Sequence, residues 1–246
     1  MGDMDYKSIY YPESKFGGFT GIDGTVAFYV RVNSLVNTSS IVLDIGCGRG
    51  AYAEDQVSVR RELRIFKGKC RKVIGIDLDQ NAKENPFLDE FRLIESQQWP
   101  IEDESVDVCI SDFVLEHVED PEQFFSECQR VLKPKGYLCI RTPNVLSYFG
   151  LISKLVPNRH HASFVSKVQD SRNEKDVFPT LYRCNTKRRI ADALKRYGFD
   201  SYVYRYESEP GYLSFSRVFY FGGVLYQRYA LNLFKSNIFA FGVKKT

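Results

Sequence analysis

Residues 42–50 read "VLDIGCGRG": an apolar run interrupted by one aspartate, Asp44, then glycines at 46, 48 and 50. The run has the length and composition of a buried strand. The alternate glycines let the backbone turn sharply and let a ligand approach the main chain where a side chain would block it. A helix starting just beyond would offer unpaired N–H groups. Nucleotide-binding turns and merely tight strand-to-helix turns share this pattern, so its meaning depends on its surroundings.

Moving outward, short apolar runs alternate with longer amphipathic segments, the pattern of an α/β protein with a mostly parallel sheet. Further strands are predicted at "KVIGID" (72–77), "FRLIE" (91–95), "VDVCIS" (106–111) and "GYLCIRT" (136–142). In "DPEQFFSECQRVL" (120–132) Asp120 can cap a helix, Pro121 suits its first position, and Phe124, Phe125, Cys128, Val131 and Leu132 form one apolar face. After Thr142 the periodicity lapses until "NTKRRIADALKRYG" (185–198), a helix ending at Gly198. Strands are expected at "FDSYVYRYE" (199–207) and "NIFAFGVKK" (237–245), with an aromatic segment, 212–234, between them.

The 246 residues suffice for one large domain with an elaborated cap, and a net charge of +3 does not mark a polyanion binder. No apolar run reaches membrane-spanning length and "MGDMDYKSIYY" lacks the signal-peptide pattern, so the expected location is the cytoplasm. Cys47, Cys70, Cys109, Cys128, Cys139 and Cys184 are scattered without metal-ligand spacing, so buried free thiols and no metal site are expected.

A dinucleotide fingerprint would place the third glycine one position later and an acidic residue about 20 positions on. Here Gly50 comes early, Asp44 precedes the loop and Asp77 is more distant. Taken together, "VLDIGCGRG", "VIGIDLD", "ESQQWPIEDESVDVCISDFVLEHV" and "RVLKPKGYLCIRTPN" resemble the class I S-adenosylmethionine-dependent methyltransferases, in particular the type 11-like small-molecule group that includes ubiquinone-biosynthesis enzymes. The resemblance is close over residues 35–145 and loose elsewhere.

That resemblance implies a Rossmann-like α/β sheet of seven strands, six parallel and the last antiparallel. It implies S-adenosylmethionine as cofactor and S-adenosylhomocysteine as product. Asp44 would lie near the cationic methionine end, with Gly46, Cys47 and Gly48 in the loop beside it. Asp77 would accept hydrogen bonds from the ribose hydroxyls and Leu78 would pack on adenine. Glu95 and Ser96 stand where relatives often carry Asp-Ala and would meet the adenine amino group. Asp112 would sit near the methyl-transfer site as a further cofactor contact and candidate catalytic residue. "KPKG" departs from the usual Lys-Pro-Gly-Gly by Lys135. Each acidic residue alone reads more simply as structural: Asp44 as a helix cap, Asp77 as a surface residue, Glu95 as a solvated strand end. Their joint occurrence at successive strand ends points to a ligand, because open α/β sheets bind ligands there. For His117 a structural role in fixing its helix or loop is the simpler reading.

Residues 144–189 hold nine Lys or Arg against three Asp or Glu, +6 where the chain totals +3. A basic cap suggests an acceptor bearing phosphate or carboxylate; a solvated basic loop is the alternative. "DVFPTLYRCNT" resembles a segment of methyltransferases from bacterial surface-polysaccharide and glycan pathways, which implies a sugar hydroxyl as acceptor. His160 or His161 would then be the base, with Arg172, Tyr182 and Arg183 binding the acceptor. Residues 1–34 are expected to form a helical lid, with Tyr29 and Arg31 near the cofactor, and 144–184 and 208–236 to cap the substrate side. The aromatic segment reads as core cover, a dimer surface or a peripheral membrane contact, and the chain as monomer or homodimer. A lipid-quinone or natural-product methyltransferase and a catalytically inactive cofactor-binding regulator or scaffold remain alternatives. A nucleic-acid substrate is disfavoured, because "SDFV" stands where such enzymes carry an Asn-Pro-Pro-Tyr-type tetrapeptide.

Overall fold

The computed structural model describes residues 6–148 and 179–246. Seven strands form one sheet: β1 (Ile41–Ile45), β2 (Lys72–Asp77), β3 (Glu90–Leu93), β4 (Val106–Asp112), β5 (Leu132–Pro143), β6 (Phe199–Tyr206) and β7 (Asn237–Lys244). Their order is β3-β2-β1-β4-β5-β7-β6. The first five are parallel along the sheet, and β7 runs antiparallel to both β5 and β6. Six strands therefore share one direction and β7 opposes them, as the resemblance implied.

Alternation along the strands divides the core in two. On one face Leu43, Ile76, Cys109, Leu138 and Ile140 pack under α4 (Pro121–Val131) and α5 (Lys187–Arg196). On the other, Val42, Val73, Val108, Ile110 and Phe239 pack under α2 (Gly24–Leu35) and α3 (Ser58–Arg64). Full burial of each such side chain stabilises the fold by about 1.5–3 kcal/mol before entropy is counted. The shorter α1 (Tyr6–Tyr10) meets α6 (Arg217–Tyr229) in a third cluster around Tyr11, Tyr220 and Val224.

Local chemistry sets the helix starts. Asp120 caps α4 by accepting from the Glu122 and Gln123 amides. Asp23 does the same for α2 through Thr25 and Val26, so that helix begins at Gly24. Lys133, Pro134 and Lys135, which precede the strand expected at 136–142, lie inside a longer β5. There Lys135 takes φ +67 next to a register shift against β4, a bulge that absorbs the extra residues without ending the strand. All six cysteines are free, and five are buried.

Candidate functional site

The carboxyl ends of β1, β2, β4 and β5 deliver Asp44, Asp77, Asp112 and Arg141 to one edge of the sheet. The glycine loop rises among them. Gly46, Gly48 and Gly50 take φ of +65, +52 and +78, the left-handed region that side-chain-bearing residues avoid. The Gly46 and Cys47 amides both donate to the Ile76 carbonyl, folding the loop back over β2. Buried Asn85 clamps it from the other side, its amide donating to the Cys47 and Gly48 carbonyls at 3.1 and 3.2 Å.

The three glycines differ in what surrounds them. A Cβ at Gly46 would lie 2.6 Å from a Val114 methyl and one at Gly50 2.7 Å from the Asn85 side-chain oxygen, whereas one at Gly48 would meet nothing within 4 Å. The space over Gly48 is open, so a ligand can approach the main chain there. Asp77 borders it: one carboxylate oxygen accepts from the Gly48 amide at 2.9 Å and the other from the Asp79 amide at 2.9 Å. A carboxylate has about four lone-pair sites, so these two bonds fix its orientation and leave capacity for two hydroxyls.

Asp44 is half-buried behind the loop. Burial, then the neighbouring Asp112 and Asp77 carboxylates, push its pKa up to about 7, and the Arg64 cation offsets this only in part. Such a carboxylate gains from any cationic ligand. Arg64 sits over the rings of Tyr29 and Tyr52 at 5.8 and 5.7 Å, and its Nε is buried with no hydrogen-bond partner among the described residues. A negative pocket with open space over a glycine and an adjacent cation that has one donor to spare, its Nη2 being used on the Thr25 hydroxyl, suits a ligand carrying both an ammonium and a carboxylate.

Asp112 behaves differently. It is the register partner of Arg141 across β4 and β5, and Tyr29 donates its hydroxyl to it at 2.9 Å. Burial opposes ionisation of Asp112, but the Arg141 guanidinium overrides this and holds the carboxyl below its usual range. Arg141, 3% exposed, also donates to the Thr25 hydroxyl at 2.9 Å and lies 4.7 Å from the Phe113 ring centre. Phe113 itself takes φ +57, a strained conformation held at the strand end. Three hydrogen bonds, two from Arg141 and one from Tyr29, thus engage the Asp112 carboxylate where α2 docks onto the sheet.

The remaining candidates scatter around this centre. Leu78 is 70% exposed at the end of β2, a free apolar surface beside Asp77. Glu95 and Ser96 lie just beyond β3, which stops at Leu93, and the Ser96 hydroxyl donates to the Gln98 carbonyl. Cys47 contributes main chain to the loop while its thiol packs in the core against the position where Gly75 has no Cβ. Tyr182 and Arg183 lie near the end of β4: the Tyr182 amide donates to the Glu116 carbonyl and Arg183 faces Glu119 at 3.8 Å. His117 contacts the Pro179 carbonyl through Nδ1 at 3.0 Å, consistent with a role in holding that loop. Tyr29 faces Asp112, and Arg31 lines a separate groove of about 500 Å³ with Tyr137, Tyr202 and Phe241. His160, His161 and Arg172 lie outside the described residues.

Arg141, Asn85 and Arg64 were not singled out from sequence. Arg141 did carry a signal, as a lone cation in the otherwise apolar "YLCIRT" run. Asn85 and Arg64 carried none.

Comparison with known proteins agrees with this geometry. The family model described as "Methyltransferase domain" matches residues 43–140, spanning the glycine loop through β5. A probable S-adenosylmethionine-dependent methyltransferase of Mycolicibacterium smegmatis is 36% identical over 112 residues, 44% of this chain and 39% of that protein. A ubiquinone biosynthesis O-methyltransferase of Histophilus somni is 28% identical over 144 residues, 56% of this chain and 59% of that protein. The chain thus spans well under two thirds of the length of these curated relatives. The solved structure of a methyltransferase from Archaeoglobus fulgidus superposes with TM-score 0.53 at 21% identity, covering 98% of this chain and 100% of that one, a likeness of fold. Sheet order, glycine loop and family match agree: over residues 43–140 the chain is similar to the methyltransferase domain of S-adenosylmethionine-dependent methyltransferases.

Proposed function

We propose that this protein transfers the methyl group of S-adenosylmethionine to an oxygen of a small acceptor, a sugar or glycan precursor. The observation that carries the cofactor half is the juxtaposition of Asp44, raised to about 7 by enclosure and like charge, with the open cradle over Gly48 bordered by Asp77. When bound, the cofactor supplies an electrophilic methyl on a sulfonium.

In this reading the chain's own groups bind and orient. Asp44 faces the ammonium and sulfonium end, and Arg64 takes the carboxylate. Asp77, preset by the Gly48 and Asp79 amides, accepts from the ribose hydroxyls. Leu78 covers one adenine face, with Glu95 and Ser96 at its edge. Asp112 is a positioning residue: through Tyr29 and Arg141 it fixes α2 beside the site, helping to hold the acceptor in line and water out.

The acceptor half rests on charge. The +6 of residues 144–189 favours an anionic acceptor, and Tyr182 and Arg183, whose segment is tied to Glu116 beyond β4, are its proposed binding residues. A base must take the hydroxyl proton, and His160 and His161 are the proposed groups.

Calorimetric titration with S-adenosylmethionine and S-adenosylhomocysteine tests the cofactor assignment. Wild type should bind both, and Asp77→Ala should weaken each by at least about tenfold, the loss expected for hydrogen bonds to a charged group. Absence of binding by folded wild type would overturn the reading. Given binding, methyl transfer to phosphorylated or nucleotide-linked sugars tests the acceptor.

A further inference from the structure

Helix α6 has two unlike sides. Tyr220 and Val224 are 0% and 1% exposed and pack with Tyr11 beneath the N-terminal segment. On the outer side Val218 and Tyr229 are each 77% exposed, with Phe219 and Leu225 exposed beside them. At about 100° per residue Val218, Leu225 and Tyr229 fall within about 40° of one another, so they form one outward stripe. A solvated helix turns polar residues outward; here the outer face is apolar. Leu231, 70% exposed, extends the patch, and contiguous apolar surface of this kind marks an interaction site.

Charge selects the partner. No Asp or Glu follows Glu209 in the sequence, while Arg217, Arg228 and Lys235 lie within or next to the apolar segment. On the helix Arg217 and Arg228 are about 20° apart, so both stand along one border of the stripe. A second copy docking on this face would bring those cations toward their own images. A surface combining apolar depth with negative headgroups satisfies stripe and border together. At 13 residues α6 is about 20 Å long, enough to lie along a bilayer and too short to cross it.

The segment is also fixed in place. Asn144, just beyond β5, donates to the Leu233 and Lys235 carbonyls at 2.9 and 2.8 Å, and the Tyr148 and Tyr226 rings meet at 4.7 Å. The apolar stripe therefore flanks the same end of the sheet as the glycine loop. We propose that the outer face of α6 docks on an anionic lipid bilayer, the helix lying in the interfacial plane with Arg217 and Arg228 among the headgroups. This goes beyond the cofactor reading and stands without it.

The test is flotation of the full chain with vesicles of phosphatidylcholine alone or with added phosphatidylglycerol. Wild type should partition into the anionic vesicles at least about tenfold better, and added salt should reduce this. Val218→Asp combined with Tyr229→Asp should abolish binding to both, with a cooperative thermal transition retained as the sign of folding. Arg217→Gln combined with Arg228→Gln should lower anionic binding to the neutral level. No flotation of wild type, or flotation indifferent to both pairs of substitutions, would overturn the proposal. So would a wild-type dimer in sedimentation that the aspartate pair converts to monomer, since the face would then belong to a second copy.

Discussion

Asp112 and Arg141 meet through two parallel hydrogen bonds, Nε to Oδ1 at 2.6 Å and Nη2 to Oδ2 at 2.7 Å, across neighbouring strands at the edge of the candidate site. Both are largely withdrawn from water, so removing one partner strands the other charge. Arg141→Met should cost about 3–5 kcal/mol in chemical denaturation, and Asp112→Asn a comparable amount. Replacing both by apolar residues should recover part of the loss. Equal losses for the single and double variants would show that the pair acts through something other than mutual neutralisation.

Asp44 makes cofactor affinity depend on pH. Its proton is held up to about 7 in the free protein, first by burial and then by Asp112 and Asp77. Below that pH the neutral acid no longer attracts an ammonium, so affinity should fall by up to about tenfold per pH unit under the midpoint. Binding near pH 6 should release protons, read as a dependence of calorimetric heat on buffer ionisation enthalpy. Asp44→Asn should flatten both signals.

The same group sets a stability trend in the free protein. A folded-state pKa above the unfolded value means the folded form holds the proton more tightly. The contribution of Asp44 is therefore fully present below about pH 4 and is lost as pH rises through about 7. Asp44→Asn should remove that part of the slope in pH-dependent melting. An unchanged slope would place the source elsewhere.

The loop glycines should separate by phenotype. An alanine at Gly46 collides with Val114 and at Gly48 meets open space, while both positions carry the left-handed penalty of about 1–2 kcal/mol. Gly46→Ala should therefore lose clearly more stability than Gly48→Ala. Gly48→Ala should lose more cofactor affinity than its small loss of stability would suggest, because its methyl enters the cradle. Melting temperature and calorimetry on the same two proteins decide this.

Much of the fold was legible because strand and helix periodicities were strong where burial is complete. β1, β2 and β6 begin where their apolar runs begin, and α4 starts at the cap that Asp120 announces. β5 was placed four residues late at its start, because Lys133, Pro134 and Lys135 break the apolar run while the pairing with β4 absorbs them at a bulge. β3 was placed one residue late at its start and two late at its end, because none of its residues is fully buried and its pattern is weak. In the site, Asp44, Asp77 and Asp112 stood out because acidic residues at the ends of apolar strands need a reason. Asn85 was illegible: its task, clamping two carbonyls 37 and 38 residues away, leaves no local trace. The aromatic segment was ambiguous in sequence because α6 buries one side and exposes the other, and only the packing of Tyr220 and Val224 says which side is which.

The slot of β7 between β5 and β6 has an architectural consequence. Tyr206 and Asn237 are register partners, so everything from 207 to 236 departs from the sheet and returns to it at a single point. Joining neighbouring ends costs little that depends on length; doubling such a loop adds only about 0.6 kcal/mol. The segment behaves as a socketed part. Its length can change at little entropic cost to the pairing of β6 with β7, while Asn144 and the Tyr11–Tyr220–Val224 cluster set the course it follows outside the sheet.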